Sequence, residues 1–302
     1  MRWALNQISI HGGSRQPPAD LPRDLHALRT GGWRRIELWL AHWDGYVAAH
    51  RLPAARRLLD ESGLVAAGAC GGAPFFFAEG EPLRQALDLL RGRLEQCQAL
   101  GAPHLVVAPG FTEPAKPSAA MLDRAAENMR AAGELAAAHG VRLGIECLAR
   151  ARLVRSLPAA IALARHSDLP NVGVIVDTYH LYADVSKTED LDLLRDDPWW
   201  LFFVHVSDVA AAIPRELWTV PQRVLPGGPD GGGVPNAQLL AAIRALGYNG
   251  DVSLELFDPG FEAQWAADPA GAAAEAYRRC TELEPDGRAA NARAGAERRM
   301  AP

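Results

Sequence analysis

Four side chains that can bind a metal follow short apolar runs between residues 144 and 255. Glu146, Asp177 and Glu255 carry carboxylates, and His205 carries an imidazole. A charged group at the end of a buried strand is unfavourable unless something compensates it, and a shared divalent cation is the simplest compensation for four such groups. Carboxylates and an imidazole, with no thiolate, suit one divalent ion, with Mn²⁺ or Zn²⁺ preferred and Mg²⁺ or Co²⁺ as alternatives.

Further polar residues stand close to these ligands or in the first strand. His180 lies three residues after Asp177, where it can reach a substrate hydroxyl or a second ion; a loop histidine bonded only to backbone is the alternative. Asp208 lies three residues after His205. It can accept a hydrogen bond from the second ring N–H, as carboxylates behind metal-bound histidines do, or can simply begin the next loop. Asn6, in the first apolar run, either contacts substrate or is an inert buried amide.

The elements that must position these residues are eight strand-like runs alternating with segments of helical periodicity. The runs begin near Trp3, Arg35, Gly63, His104, Val141, Asn171, Leu201 and Asp251. The clearest helices are predicted at residues 53–62, 82–100, 118–139, 157–166, 236–246 and 269–283. This alternation predicts an α/β fold, a (β/α)8 barrel with a single domain. An open doubly wound sheet is the alternative, but only His11-Gly12-Gly13 stands where its glycine-rich fingerprint is expected.

The barrel predicts how the distant candidate ligands meet. Active sites of (β/α)8 barrels lie at the carboxyl ends of the strands. The four candidate ligands end strands 5, 6, 7 and 8 of the predicted order. Because these strands are neighbours around the barrel, we expect the four side chains to converge near its axis.

Composition limits the classes of function. The 302 residues are 49% apolar and 22% charged, and the formal net charge of −5 provides no general attraction to nucleic acid or to an anionic membrane. The four cysteines have no CxxC spacing, and no apolar run is long enough for a membrane span. We therefore expect a cytoplasmic protein that acts on a small molecule, with homo-oligomerisation left open. We expect the barrel to occupy residues 1–284 and residues 285–302 to form a flexible tail without an apolar stripe.

Five segments resemble the xylose isomerase-like barrel family, and within it the inosose isomerase type. They are LGIECL, VGVIVDTYHLY, FVHVSD, RVLPGG and DVSLELF. The resemblance extends over residues 1–283 and is most specific between Glu146 and Phe257. It implies a TIM barrel in which the four candidate ligands hold a single divalent ion.

The resemblance also implies roles for individual residues. Glu146 and Glu255 would lie on opposite sides of the substrate and move its proton. His180 matches a substrate-contacting histidine, and Arg223 matches an arginine that contacts substrate oxygens. Glu37, at the end of strand 2, matches a position that often lines the pocket.

Together these features predict a metal-dependent isomerase or epimerase of a cyclitol ketone or ketose. The ion would stabilise the enediolate that forms when a proton leaves the carbon beside the carbonyl, and a carboxylate would carry the proton. A lyase of the inosose dehydratase type on the same site and a noncatalytic barrel are the alternatives. A DNA phosphodiesterase is disfavoured because strand 3 lacks a histidine and His104 stands at the wrong end of strand 4. The glycine-rich run at residues 226–233 is longer than in the family and offers a phosphate-binding loop as a minor alternative.

Overall fold

Eight parallel strands close into a barrel in the computed structural model, which describes residues 1–11, 20–109, 118–228 and 230–284. The strands are β1 Arg2–Asn6, β2 Arg35–Trp39, β3 Val65–Cys70, β4 His104–Val107, β5 Arg142–Ile145, β6 Val172–Asp177, β7 Leu201–Val206 and β8 Asp251–Leu254. They are hydrogen-bonded in chain order, and β1 pairs with β8 to close the barrel. The predicted single-domain (β/α)8 barrel is therefore confirmed, and every strand begins within two residues of its predicted position.

Ten α-helices accompany the strands in the described part of the chain. They are α1 Ile8–His11, α2 Leu21–Thr30, α3 Leu40–Ser62, α4 Gly80–Leu100, α5 Ala119–Ala138, α6 Leu157–Ser167, α7 Thr178–Ala183, α8 Asn236–Ala245, α9 Pro259–Ala267 and α10 Pro269–Thr281. Short 3-10 turns occupy Thr188–Leu194, Pro198–Trp200, Arg215–Leu217 and Val220–Gln222. None of the helices among these described residues is long and apolar enough to cross a lipid bilayer.

The strands are apolar because both of their faces are covered. Every residue of β6 and β7 is buried, as expected for parallel strands between a filled barrel and an outer layer of helices. Ala67, Val106, Ile175 and Phe203 belong to a separate buried cluster that fills the barrel interior. The barrel is therefore a packed core, and charged side chains can gather only at its two ends.

The first long helix differs from the prediction. A helix was expected from Pro53, but α3 begins at Leu40, directly after β2, and is kinked at Arg51, where φ is 64°. Pro53 lies just beyond this kink, where its fixed φ and missing N–H suit the start of a helical segment. The predicted start therefore marks the second segment of α3. The predicted tail at residues 285–302 lies outside the described residues.

Strand register brings the candidate ligands to one rim. In the β6–β7 ladder Asp177 lies opposite His205. The N–H of Glu255, one residue past β8, donates to Val206 O at 3.0 Å, and the N–H of Glu146, one residue past β5, donates to Val107 O at 2.9 Å. All of these positions are at the carboxyl ends of their strands.

Candidate metal centre

The four predicted ligands form one buried cluster. Each of them offers a ligand atom, and these atoms all lie within 4.8 Å of one another. The Nδ1 atom of His205 lies 3.4 Å from Glu146 Oε1, 3.5 Å from Glu255 Oε2 and 3.9 Å from Asp177 Oδ2. The spacing is that of donors arranged around a shared centre.

The ring of His205 is oriented by a carboxylate from β2. Its Nε2 atom lies 3.1 Å from Glu37 Oε1 and 3.0 Å from Glu37 Oε2. An Nε2–H that donates to Glu37 leaves the lone pair of Nδ1 directed at the three other carboxylates. Glu37 is fully buried, and its predicted place in the pocket lining stays a prediction. Its side chain points into the barrel, where the His205 ring lies between it and the other ligands.

Two further predicted residues contact the cluster. Asn6 Nδ2 donates to Glu255 Oε1 at 3.0 Å, and Asn6 Oδ1 accepts from the N–H of Ile8 at 3.0 Å. The amide is fully buried and contacts Glu255, and its predicted contact with substrate stays a prediction. Arg223 Nη2 donates to Asp177 Oδ2 at 2.5 Å and to Glu255 Oε2 at 2.8 Å. These bonds do not use Nη1 of Arg223, whose predicted contact with substrate stays a prediction.

His180 is placed by the loop that follows β5 and by its own helix. Its N–H donates to Asp177 Oδ1, which caps α7, at 3.0 Å, and its Nδ1 accepts from the N–H of Ala149 at 3.0 Å. Burial lowers the pKa of His180 to about 4, although Asp177 opposes the shift. The ring is therefore neutral at physiological pH, with its proton on Nε2, and it lines the pocket above the cluster.

A cavity of about 510 Å³ lies directly above the four ligands. On the side of the cluster it is lined by Glu146, His180, Arg223 and Glu255. The other described lining residues are mainly apolar, among them Ile8, Trp39, Val106, Leu148, Val220 and Phe257. The described walls therefore offer charged and polar groups on one side and an apolar surface on the other.

Fold and site together agree with a family model that matches residues 25–282, described as the xylose isomerase-like TIM barrel. The chain belongs to this family. A 3-dehydroshikimate dehydratase of Pseudomonas aeruginosa is 31% identical over 271 residues, which are 87% of this chain and 39% of that protein. An inosose isomerase of Bacillus subtilis is 26% identical over 172 residues, which are 57% of this chain and 60% of that protein. The chain thus spans about two fifths of the length of the dehydratase.

Solved structures show the same fold. The IolI protein with a bound zinc atom superposes with a TM-score of 0.78 at 21% identity, covering 94% of this chain and 98% of that one. An L-ribulose 3-epimerase superposes with a TM-score of 0.70 at 17% identity, covering 99% of this chain and 98% of that one. At these identities the likeness establishes the barrel and not the substrate.

The two glutamates of the cluster have opposite electrostatic environments. Burial raises the pKa of Glu146 to about 7, and the carboxylates of Glu255 and Asp177 add to the shift, while His205 opposes it. Burial also acts to raise the pKa of Glu255, but His205 and Arg223 outweigh it and hold that pKa far below its usual range. Glu255 is therefore held ionised, whereas Glu146 can gain and lose a proton near neutral pH.

The residues present fit a divalent cation. Glu146 Oε1 and His205 Nδ1 are buried and have no hydrogen-bond partner among the described residues. Buried polar atoms without a partner are unfavourable, and these two lie 3.4 Å apart beside the carboxylates of Asp177 and Glu255. Their positions indicate that a cation between the side chains would satisfy both. Oxygen and imidazole donors are those that Zn²⁺ and Mn²⁺ accept.

Hydrogen bonds in the loop beyond β7 decide between the two roles left open for Asp208 and argue against the minor alternative of a phosphate-binding loop. Asp208 does not orient His205, because both of its oxygens accept backbone N–H groups, including those of Gly227, Gly233 and Val234. Those N–H groups are therefore occupied, and the glycine-rich run cannot offer them to a phosphate. The adjacent Ser207, whose role the sequence did not indicate, accepts a hydrogen bond from Arg223 Nε at 2.9 Å.

Proposed function

We propose that this protein is a divalent-metal-dependent enzyme that moves the proton on the carbon next to the carbonyl of a small polyhydroxylated ketone. The observation that carries the proposal is the pair Glu146 and Glu255. The two carboxylates face the same cation site, and both line the cavity above it. Glu255 is held by Asn6 and Arg223, whereas Glu146 Oε1 has no hydrogen-bond partner among the described residues, so we assign Glu146 as the carrier of the first proton.

The residues divide the work as follows. When bound, the divalent ion polarises the carbonyl and stabilises the charge of the enediolate. Glu146 takes the proton from carbon, and Glu255, steadied by Asn6 and Arg223, supplies the second carboxylate. The apolar lining opposite the cluster offers the carbon skeleton of the substrate a surface to pack against. Return of the proton to the neighbouring carbon gives isomerisation, and return to the opposite face gives epimerisation.

Exchange of the substrate proton with solvent tests this step directly. The metal-loaded protein is incubated in D₂O with inososes, ketoses and 3-dehydroshikimate, and deuterium at the carbon beside the carbonyl is followed by NMR. We expect uptake with the wild-type protein, and losses of at least about 100-fold in the Glu146→Gln and Glu255→Gln variants. Metal content is measured in each variant, because both residues are also proposed ligands. Full exchange in both variants at equal metal content would exclude this mechanism.

A lyase is the second candidate, and two observations favour it. The dehydratase relative aligns over 87% of this chain, whereas the isomerase relative aligns over 57%. His180 is neutral, carries its proton on Nε2 and lines the pocket. In β-elimination Glu146 would take the α-proton, and the β-hydroxyl would leave as water with the proton of His180.

The same assay separates the two outcomes. A lyase produces a conjugated ketone or an aromatic product, which absorbs in the near ultraviolet, whereas an isomerase does not. In a lyase, His180→Asn should keep deuterium exchange while product formation falls about 100-fold. An equal loss of both would indicate that His180 binds substrate and does not act as the acid.

The proposal includes a substrate class and a metal ion. We propose a cyclitol ketone or ketose as the substrate and Mn²⁺ or Zn²⁺ as the ion, supported by the candidate ligand set and by the family. A cytoplasmic setting is supported by the four cysteines, Cys70, Cys97, Cys147 and Cys280, all of which are buried free thiols. Neither nucleic acid nor membrane is proposed as a partner, and a noncatalytic role would be supported only if the purified protein bound no metal.

A further inference from the structure

One buried carboxylate folds a glycine-rich segment back against the end of β7. We call residues 224–228 and 230–234 the clamp segment. Asp208 is 2% exposed, and its two oxygens accept four backbone hydrogen bonds. The donors are the N–H groups of Val209, Gly227, Gly233 and Val234, at 2.8 to 2.9 Å. The main chain of Asp208 also pairs with that of Val224. The N–H of each residue donates to the carbonyl oxygen of the other, at 3.0 and 2.9 Å.

Arg223 stands immediately before the clamp segment. Because two backbone hydrogen bonds join its neighbour Val224 to Asp208, the backbone of Arg223 cannot move away from β7 without breaking them. From this position its Nη2 group reaches both Asp177 and Glu255. None of the hydrogen bonds of the Asp208 side chain joins it to these carboxylates, and Arg223, beside the clamp segment, contacts both of them.

The carboxylate of Asp208 is enclosed so closely that small changes must displace it. Gly232 adopts φ +80°, and a Cβ at this position would lie 2.1 Å from Asp208 Oδ2. An ionised carboxylate is an acceptor only, which matches a ring of N–H donors. An asparagine amide would turn its own N–H groups toward at least one of these donors.

We infer that Asp208 is a positioning residue for Arg223 and, through Arg223, for the carboxylates of Asp177 and Glu255. The inference deepens the proposed function, because it rests on Asp177 and Glu255 as metal ligands. Arg223 contacts one oxygen of each ligand. The carboxylate of Asp208, through the N–H groups of Gly227, Gly233 and Val234, holds the segment that follows Arg223 against β7. Outer partners of this kind typically contribute about 10- to 100-fold to metal affinity.

The test is a double-substitution cycle on Zn²⁺ affinity, measured by competition with a chelating dye. Asp208→Asn should weaken Zn²⁺ binding about 10-fold, and Arg223→Gln about 10- to 100-fold. The double variant should bind no more weakly than Arg223→Gln alone, because the effect of Asp208 passes through Arg223. Multiplicative losses in the double variant, or unchanged affinity in Asp208→Asn, would overturn the inference.

Asp230→Asn is the matched control. Asp230 lies in the same segment, is exposed, and also accepts two backbone N–H groups, from Ala211 and Ala212, both at 2.8 Å. Its substitution should leave Zn²⁺ affinity within about twofold of wild type. A loss equal to that of Asp208→Asn would show that any disturbance of the segment is sufficient, and would overturn the specific role of Asp208.

Two further measurements keep the test decisive. If Asp208→Asn does not fold, Gly232→Ala displaces the same carboxylate from outside and takes its place in the cycle. If the wild-type protein binds no divalent ion, the proposed function fails, and the link is judged on the free energy of unfolding of the same four proteins. Additive effects of Asp208→Asn and Arg223→Gln would then overturn it, and non-additive effects would support it.

Discussion

The two ends of the barrel interior hold buried charge in different ways. At the amino end, Asp251 accepts hydrogen bonds from Arg2 Nε at 2.7 Å and from Arg35 Nη2 at 2.8 Å. Both oxygens of this carboxylate therefore face cationic donors supplied by neighbouring strands. At the carboxyl end, His205 and three carboxylates face one another, and Glu146 Oε1 and His205 Nδ1 have no hydrogen-bond partner among the described residues.

This difference distinguishes a structural plug from a binding site. At the amino end the buried carboxylate of Asp251 is itself fully paired, because each of its oxygens accepts from an arginine. The carboxyl end is complete behind the ligands, where Glu37, Asn6 and Arg223 contact them, and incomplete between the ligands themselves. Donors that are held in place from behind and unsatisfied in front are the arrangement expected of a preformed cation site.

Replacing one charged residue at each end of the barrel should have different consequences for metal affinity and for stability. His205→Ala should weaken Zn²⁺ binding by more than about 100-fold and abolish turnover, because it removes a ligand. Asp251→Asn should lower the free energy of unfolding by only about 1–3 kcal/mol, because its partners Arg2 and Arg35 are partly exposed. It should leave Zn²⁺ affinity within about twofold of wild type, because Asp251 lies at the opposite end of the barrel from the cluster. Metal titration and denaturant unfolding of both variants check this. A large loss of metal affinity in Asp251→Asn would contradict the division.

Glu37 offers a finer test of the carboxyl end. Glu37→Gln keeps an acceptor for His205 Nε2–H but removes the negative charge behind the ring. We expect Zn²⁺ affinity to fall about 10-fold while the fold is retained, since partners behind a ligand contribute on this scale. Calorimetric titration and circular dichroism measure the two quantities. Unchanged affinity would mean that Glu37 does not act through His205.

The smallest effect concerns a histidine at the amino end. His104 is 2% exposed, lies 4.4 Å from Phe203 between ring centroids, and is accommodated by Gly68, where a Cβ would be 2.2 Å from the His104 Nε2 atom. Burial, assisted by Arg142, lowers its pKa to about 3 from an ordinary 6.5. The unfolded chain therefore binds a proton in mild acid that the folded chain does not bind, so stability falls as pH falls below about 6.5.

Replacement by an aromatic hydrocarbon should remove this dependence. Between pH 7 and pH 5.5 the free energy of unfolding should fall by about 1 kcal/mol less in His104→Phe than in the wild-type protein. Chemical denaturation at both pH values, with chelator present so that metal binding does not contribute, checks the difference. Parallel pH profiles for the two proteins would show that His104 becomes protonated in the folded state.

The sequence was a good guide to the strands and to which four side chains meet, and a poor guide to what lies behind these side chains. Asp177 and His205 end apolar runs, and that local pattern was sufficient to predict both their strands and their meeting. The partnership of His205 with Glu37 joins residues 168 positions apart, and it depends on how deeply each side chain enters the barrel, which no local pattern encodes. The role of Asp208 was left open for a related reason, because the backbone donors that occupy its oxygens come mostly from residues about 20 or more positions further along the chain.

The central claim is that Glu146, Asp177, His205 and Glu255 hold one divalent cation. Anomalous diffraction from crystals of the protein grown with Mn²⁺ or Zn²⁺ measures this directly. We expect a single peak at about 2.0–2.3 Å from His205 Nδ1 and from carboxylate oxygens of the other three residues. A protein that crystallises with no ion there, or with its ion bound elsewhere, would contradict the account.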